Sequence, residues 1–543
     1  MYLKFSVMNR FLNLKNFLLM ISVLPLLCAC DGSLFDPFSE IVDVDGEALG
    51  HEQIVLGKQL ADPYSLEAMS EAFNSLYETK VGRVELEATD YYIRFLPKNK
   101  EEYYALEDSG IDLLDHPMDY EIIREGDYYH DPEIEEGQIT WQYAVVRKGM
   151  VYPKHIQHEI LDKCYIPEHS LDFQTTKALG VDWEEVERKS FVLTGNEKML
   201  SDPLAKAGED SDVYPTGSIT ISDPQYSQEP LGVKGVKVSC NVFVKTASTY
   251  TDDKGNYTIE SKFQSKPRYR IVFKNKYGFG IGFNLILQPA SASTLGKGPV
   301  SGVSLHINSD SDRKLFTRAV VNNTAYEYYE KCKTPGSAIK MPPGNLRIWL
   351  FQKMESSCSA MLQQGAYIDD SKIGDYLGEF SILLKMFLPD ITLGLKDLDS
   401  YDDIYSVANH ELAHSSHFMK VGVDYWDRYI NYIITSFVSS GFVTYGSGVE
   451  EDHGYCEVGE MWAYYVQSML YNQRYPGSDK AFGTNYWFYP QIFMYLDDRG
   501  LGYHKIFAAM TADVKDRDVL QKKLVSLYPQ FKTTINQAFN RYN

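Results

Sequence analysis

The chain has 543 residues, 44% of them hydrophobic, and a formal net charge of −21. That length allows roughly three domains with ample core, and the charge excludes a nucleic-acid partner, because a phosphate backbone would be repelled. Its 41 tyrosines are amphipathic rings that grip polymers at extracellular surfaces and also fill cores.

Residues 1–29 read as an export signal. Lys4, Arg10 and Lys15 precede an apolar run from Phe17 to Leu27, which is too short to span a bilayer as a lasting helix. The run ends Leu27-Cys28-Ala29-Cys30, which resembles a bacterial lipoprotein signal, where cleavage precedes the lipid-bearing cysteine, here Cys30. The resemblance implies an exported protein anchored by lipid to a bacterial membrane, on the periplasmic face or at the cell surface. Residues 30–44 form a tether, and no later stretch is apolar for long enough to suggest a spanning helix.

After Cys30 come Cys164, Cys240, Cys332, Cys358 and Cys456. Their odd number leaves at least one free thiol, and their wide spacing suggests buried thiols. Cys332–Cys358 is the one pair worth testing, and the lack of a C-x-x-C pair argues against a cysteine zinc site.

Residues 45–205 predict an α/β module. Ser65 to Tyr77 has helical spacing, Tyr91 to Leu96 and Ile139 to Val146 read as strands, and Glu101 to Asp108 follows a Pro-Lys-Asn turn as a short helix. The module carries no catalytic spacing and reads as structural or recognition, with an inhibitory prosegment as the sharper alternative. Lys198 to Pro215 is a polar linker.

Residues 216–285 alternate at period two. Gly217 to Ile221 opens the pattern, and Val236, Val238, Cys240 and Val242 share one face. Thr251-Asp252-Asp253-Lys254-Gly255-Asn256-Tyr257-Thr258-Ile259 predicts a hairpin turn into a strand, and Tyr269 to Phe273 closes the series. The order P-L-x-G-V-x-V followed by T-D-x-x-G-x-Y-x-I resembles the carboxypeptidase regulatory-like, transthyretin-type β-sandwich. Turn formation accounts for Asp252 and Asp253 better than a calcium site does.

Residues 286–543 form the last domain. A helix over Leu315 to Tyr329 and strands at Leu346 to Phe351 and Asp390 to Leu395 precede Asp402 to Gly422, which holds His410-Glu411-Leu412-Ala413-His414. Residues four apart on a helix share a face, so both imidazoles reach one ion while Glu411 leans toward its open position. In a chain with 12 histidines this pattern arises by chance only about 0.01–0.02 times. Ile404, Ala408, Leu412, Ser415 and Met419 are expected to pack inward, and Val407, His410, His414 and Val421 to line an adjacent face.

Tyr455 to Tyr465 supplies two candidates for a third ligand, Glu457 and, preferred, Glu460. Glu457, Glu460 and Tyr464 share a helical face there, and Glu460-Met461-Trp462-Ala463 resembles the Glu-x-x-Ala run of zincins with a glutamate ligand. A metzincin would place Gly at 417 and His at 420, where this chain has His417 and Lys420. On His410, Glu411, His414 and Glu460 the chain therefore resembles the gluzincin side of the zincin metallopeptidases. The expected architecture is multidomain: an α/β N-terminal module, a transthyretin-like β-sandwich and a C-terminal α+β zincin-like peptidase domain.

The resemblance implies Zn2+ on His410, His414 and Glu460, with Glu411 as the general base in hydrolysis of a protein or peptide substrate. Glu457 and His417 are candidates to support the ligands from behind, and Tyr464, Tyr486, Tyr503 and His504 are candidate oxyanion donors. The competing reading is a non-catalytic surface lipoprotein that binds a polymer on an inactive zincin scaffold. A purely structural zinc site is disfavoured, because such sites are closed by four protein ligands, usually with cysteine.

Overall fold

A computed structural model describes residues 53–77, 85–126, 128–135, 139–200, 213–282, 290, 292–352, 357–367, 389–439 and 445–542. The export signal, Cys30 and the tether lie outside these residues, as does most of the linker. The fold is a multidomain mixture of helices with antiparallel and mixed sheets. Among the described residues, no helix is long and apolar enough to cross a membrane.

The N-terminal module contains β1 (Val55–Gln59), α1 (Leu66–Tyr77), β2 (Asp90–Leu96), α2 (Lys100–Asp108), β3 (Tyr120–Arg124), β4 (Gln142–Arg147), β5 (Gln157–Cys164) and α3 (Trp183–Leu193). Asn99 starts α2 because its side chain accepts the Glu102 amide, one of the donors a helix start leaves unmade. β2 sits between β4 and β5, antiparallel to both.

Ion pairs join this module to the β region that follows. Lys245, 1% exposed at its side chain, holds Glu168 at 2.7 Å and Glu187 at 2.9 Å. The β region contains β6 (Thr216–Ile221), β7 (Leu231–Gly232), β8 (Val236–Val242), β9 (Lys245–Tyr250), β10 (Asn256–Thr258), β11 (Arg268–Asn275) and β12 (Gly280–Ile281). β13 (Ala292–Lys297) and β14 (Leu305–Ile307) pair with β11 and β6 respectively, so strand pairing continues past residue 285.

Asp252 makes a tight turn by accepting the Lys254 and Asn256 amides. The strand after the turn does not fold back on β9, as a hairpin would. β10 crosses to β6 instead, so the turn connects two sheets. The apolar sides of both sheets, including Ile219, Ile221, Val238, Cys240, Ile271 and Phe273, belong to one buried core.

The two-residue strand β12 links this region to the C-terminal one. It is antiparallel to β11 and parallel to β15 (Arg347–Phe351), which is parallel to β16 (Ile391–Gly394). α4 (Arg313–Lys333) reinforces the join with buried amides: Asn322 donates to the Lys234 carbonyl and Asn323 to that of Gly232.

The helices that follow are α5 (Tyr401–Val421), α6 (Val423–Ser439), α7 (His453–Arg474), α8 (Gln491–Asp498), α9 (Tyr503–Ala509), α10 (Arg517–Leu527) and α11 (Lys532–Arg541). Ser400 caps α5 by accepting the Asp403 amide, and Gly422 ends it at φ +84°, a conformation that costs glycine little. α4, α6 and α7 surround α5, which is buried on nearly every face. Met419 departs from the expected inward stripe and is 44% exposed, on the open side of a last turn whose Phe418 and Val421 are buried.

None of the five described cysteines is in a disulfide, so Cys332 and Cys358 are not joined. Cys358 instead makes an antiparallel bridge with Thr392 of β16.

Candidate metal centre

α5 and α7 cross so that His410 and His414, one turn apart on α5, face Glu460 on α7. The Nε2 atoms of the histidines are 3.2 Å apart. His410 Nε2 lies 3.4 Å from Glu460 Oε2, and His414 Nε2 lies 3.4 Å from Glu460 Oε1. The edge of a tetrahedron around zinc, with bonds of about 2.0–2.1 Å, is about 3.3–3.4 Å. The His–His separation is close to that edge, each imidazole lies at about that distance from a different Glu460 oxygen, and with one donor atom from each residue the three lie within 4.8 Å of one another.

The chemistry of the donors agrees with the spacing. Glu460 is fully buried, and its Oε2 has no hydrogen-bond partner. An ionised carboxylate placed so is costly unless a cation meets it. Burial works to raise the Glu460 carboxyl, but His414 and His410 hold it below the ordinary range. The cluster can hold a metal ion.

Neighbouring side chains orient the ligands. Gln467 Oε1 lies 3.2 Å from His410 Nδ1, and the Gln467 amide donates to Ser406 at 2.8 Å. Gln467 thus favours a proton on His410 Nδ1 and a free lone pair on Nε2, the arrangement a ligand needs. Tyr429 donates to Glu460 Oε1 at 2.6 Å, and its ring packs against His414 and Trp426.

Glu411 lies next to His410 and is 1% exposed. Burial pushes its carboxyl up to about 7, opposed by His410 and Ser359 and aided by Glu460. Ser359 Oγ lies 2.8 Å from both Glu411 Oε2 and the Glu411 carbonyl. Ser359 belongs to the segment that pairs with β16 through Cys358, and its carbonyl accepts the Trp426 indole N–H at 2.9 Å. The edge of β16 is therefore occupied beside α5.

Other expected site residues are placed differently. Tyr464 stands beside His410, ring centroids 4.3 Å apart, with its hydroxyl 3.1 Å from that of Tyr445. Tyr486 packs on Tyr464 at 5.7 Å, one ring further out. Tyr503 and His504 begin α9, where Lys331 lies over the Tyr503 ring, and no described contact brings them to the cluster.

Glu457 does not support the ligands. One turn before Glu460, it turns to α10, accepts the Arg517 amide at 3.2 Å and pairs with Arg517 Nε at 3.3 Å. His417 is 1% exposed and packed against Tyr425 and Trp426, with no hydrogen bond to a ligand. Burial, with His414 and Lys420 nearby, pushes it down to about 3, so its ring is neutral.

Sequence reasoning missed Ser359, Tyr429 and Gln467. Only Gln467 carried a local signal, because Glu460, Tyr464 and Gln467 follow the 3–4 residue spacing of one helical face. Comparison of the chain with protein-family models, curated proteins and solved structures gave no match.

Proposed function

We propose that this chain is a metal-dependent peptidase, with His410, His414 and Glu460 as ligands and Glu411 as general base. The observation that carries the reading is a buried His-His-Glu set whose donor atoms lie within 4.8 Å of one another, with a second carboxylate one residue from the first histidine. A zinc ion held by His410, His414 and Glu460 would supply a Lewis acid to the site.

The protein's own groups do the rest. Gln467 keeps His410 in the ligating tautomer, and Tyr429 fixes the Glu460 carboxylate. Glu411, held by Ser359, accepts a proton from water and returns it to the departing amine. A structural metal site has less use for this residue. The Cys30 signal adds that the enzyme works outside the cytoplasm on a lipid anchor, and its substrates are proteins or peptides at that surface.

The test is metal analysis together with digestion of a proteome-derived peptide library by wild type and Glu411→Gln. We expect one metal per chain in both proteins, and a loss of at least about 10³-fold in cleavage by the variant. Equal cleavage by both, or none by metal-loaded wild type, ends the peptidase reading.

A further inference from the structure

The side of the β region that faces the N-terminal module is charged. On β11, Tyr269, Ile271 and Phe273 enter the core, so alternation puts Arg268, Arg270, Val272 and Lys274 on the opposite face. β8 adds Lys237, Ser239 and Asn241, and the register sets Arg270 across from Ser239 and Arg268 across from Asn241.

Three of these four cations are met by carboxylates of the module. Lys237 pairs with Asp112, Lys274 with Glu107 at 2.6 Å, and Arg268 Nε donates to Glu125 at 2.9 Å. Arg270 is the exception. It is 5% exposed, and its Nε has no partner. Its hydrogen bond among the described residues is a long 3.4 Å contact from Nη2 to Asn241 Oδ1.

The Ser239 hydroxyl, directly across, is also buried without a partner. Both side chains line a chamber of about 90 Å³ between sheet and module, closed further by Leu114, His116, Thr246 and Thr294. The remaining carboxylate of the chamber, Asp115, faces the His116 ring with one oxygen and accepts the Tyr129 amide with the other. Burial, with Arg268 alongside, pushes Arg270 down to about 10, which leaves it cationic at neutral pH. A buried guanidinium with its Nε–H unmade is costly, and its fork fits the oxygens of an oxyanion.

We infer that this chamber binds a small free oxyanion, held by the Arg270 guanidinium and the Ser239 hydroxyl. The space has room for several waters or for one small ion. Carboxylate, phosphate and sulfate share the necessary acceptors. The ion would lie between the β region and the N-terminal module, held from the β side, and by binding the folded chain it would stabilise that chain.

The test is calorimetric titration and thermal unfolding of the full chain with acetate, phosphate or sulfate, each against chloride at matched ionic strength. We expect at least one oxyanion to bind wild type and raise its melting temperature; the acetate arm separates a planar carboxylate from the tetrahedral ions. Arg270→Met should weaken that binding at least tenfold, and Ser239→Ala roughly three- to tenfold. If no oxyanion outperforms chloride, the inference falls. It also falls if Ser239→Ala and any folded Arg270→Met bind like wild type, since the ion would then sit elsewhere, including on a metal at His410 and His414.

Discussion

The Tyr429 hydroxyl donates to Glu460 Oε1 across 2.6 Å, while Glu460 Oε2 lies 3.4 Å from His410 Nε2 with no hydrogen bond of its own. One oxygen is thereby fixed by a neutral donor and the other is left for a cation. Tyr429→Phe keeps the ring contacts with His414 and Trp426 but releases the carboxylate. Metal affinity should fall about 10- to 100-fold, measured by competition with a chromophoric chelator. An unchanged affinity would show that the hydroxyl does not orient the ligand.

Ser359 acts on Glu411 and touches none of the three ligands, so its removal separates base from metal. Ser359→Ala should lower kcat/KM roughly tenfold, the worth of one hydrogen bond to a charged group, and leave metal affinity as in wild type. A fall in both quantities would assign Ser359 to the packing of α5 under the β16 edge.

Chelation tests the cluster without a mutation. Removing the ion leaves the Glu460 carboxylate buried without the metal, and binding free energy becomes folding free energy. With free metal at about 1,000 times Kd, the metal-bound chain should be more stable by about 4 kcal/mol, read as a drop in melting temperature on adding EDTA. Glu460→Gln should show little of that drop. An equal drop in the variant would place the responsible ion at another site.

How far the sequence revealed this site depends on how local each contact is. His410, Glu411 and His414 were legible because helical geometry alone puts them together, and Glu460 because its own helix carries a recognisable run. Ser359 and Tyr429 reach their partners across 52 and 31 residues, and no periodicity encodes such a meeting. Glu457 was misread for a related reason: one turn from Glu460 it shares a helix side, yet the packing of α10 on α7 turns it to Arg517. In the fold, the long elements followed their patterns. β12, two residues long, has no pattern to read, although it joins the sheet across two regions.

Arg474 ties α7 to two other regions, donating from Nε to Asp223 at 2.9 Å and from Nη1 to Glu327 at 2.8 Å. Tyr475 adds a third contact, from its hydroxyl to Asp223 at 3.0 Å. Asp223 is 1% exposed, so Arg474→Met leaves a buried carboxylate without its cation. We expect a loss of about 3–5 kcal/mol in urea unfolding, partly recovered by adding Asp223→Asn. A single variant as stable as wild type would mean that the regions are held together by the β12 pairing and the α4 amides instead.

Asp390 supplies the pH dependence. It is 0% exposed, with Oδ2 accepting the Arg347 amide at 2.9 Å and the Gln364 side chain at 3.1 Å. Burial pushes its carboxyl from 3.8 up to about 6, against the lowering effect of those bonds. The folded state therefore holds the proton more tightly than the unfolded state, and between pH 4 and 6 it binds more protons. Stability from this group is fully present below pH 4 and is lost as pH rises through 6, about 3 kcal/mol for a shift of about two units. Asp390→Asn removes the titration, because an amide carries no charge at either pH. Its stability relative to wild type should therefore rise by about 2.4 kcal/mol between pH 4 and 7, measured as the difference in urea unfolding free energy at the two pH values. A difference that does not change with pH, or that changes with the opposite sign, would mean that Asp390 is ionised in the folded protein throughout.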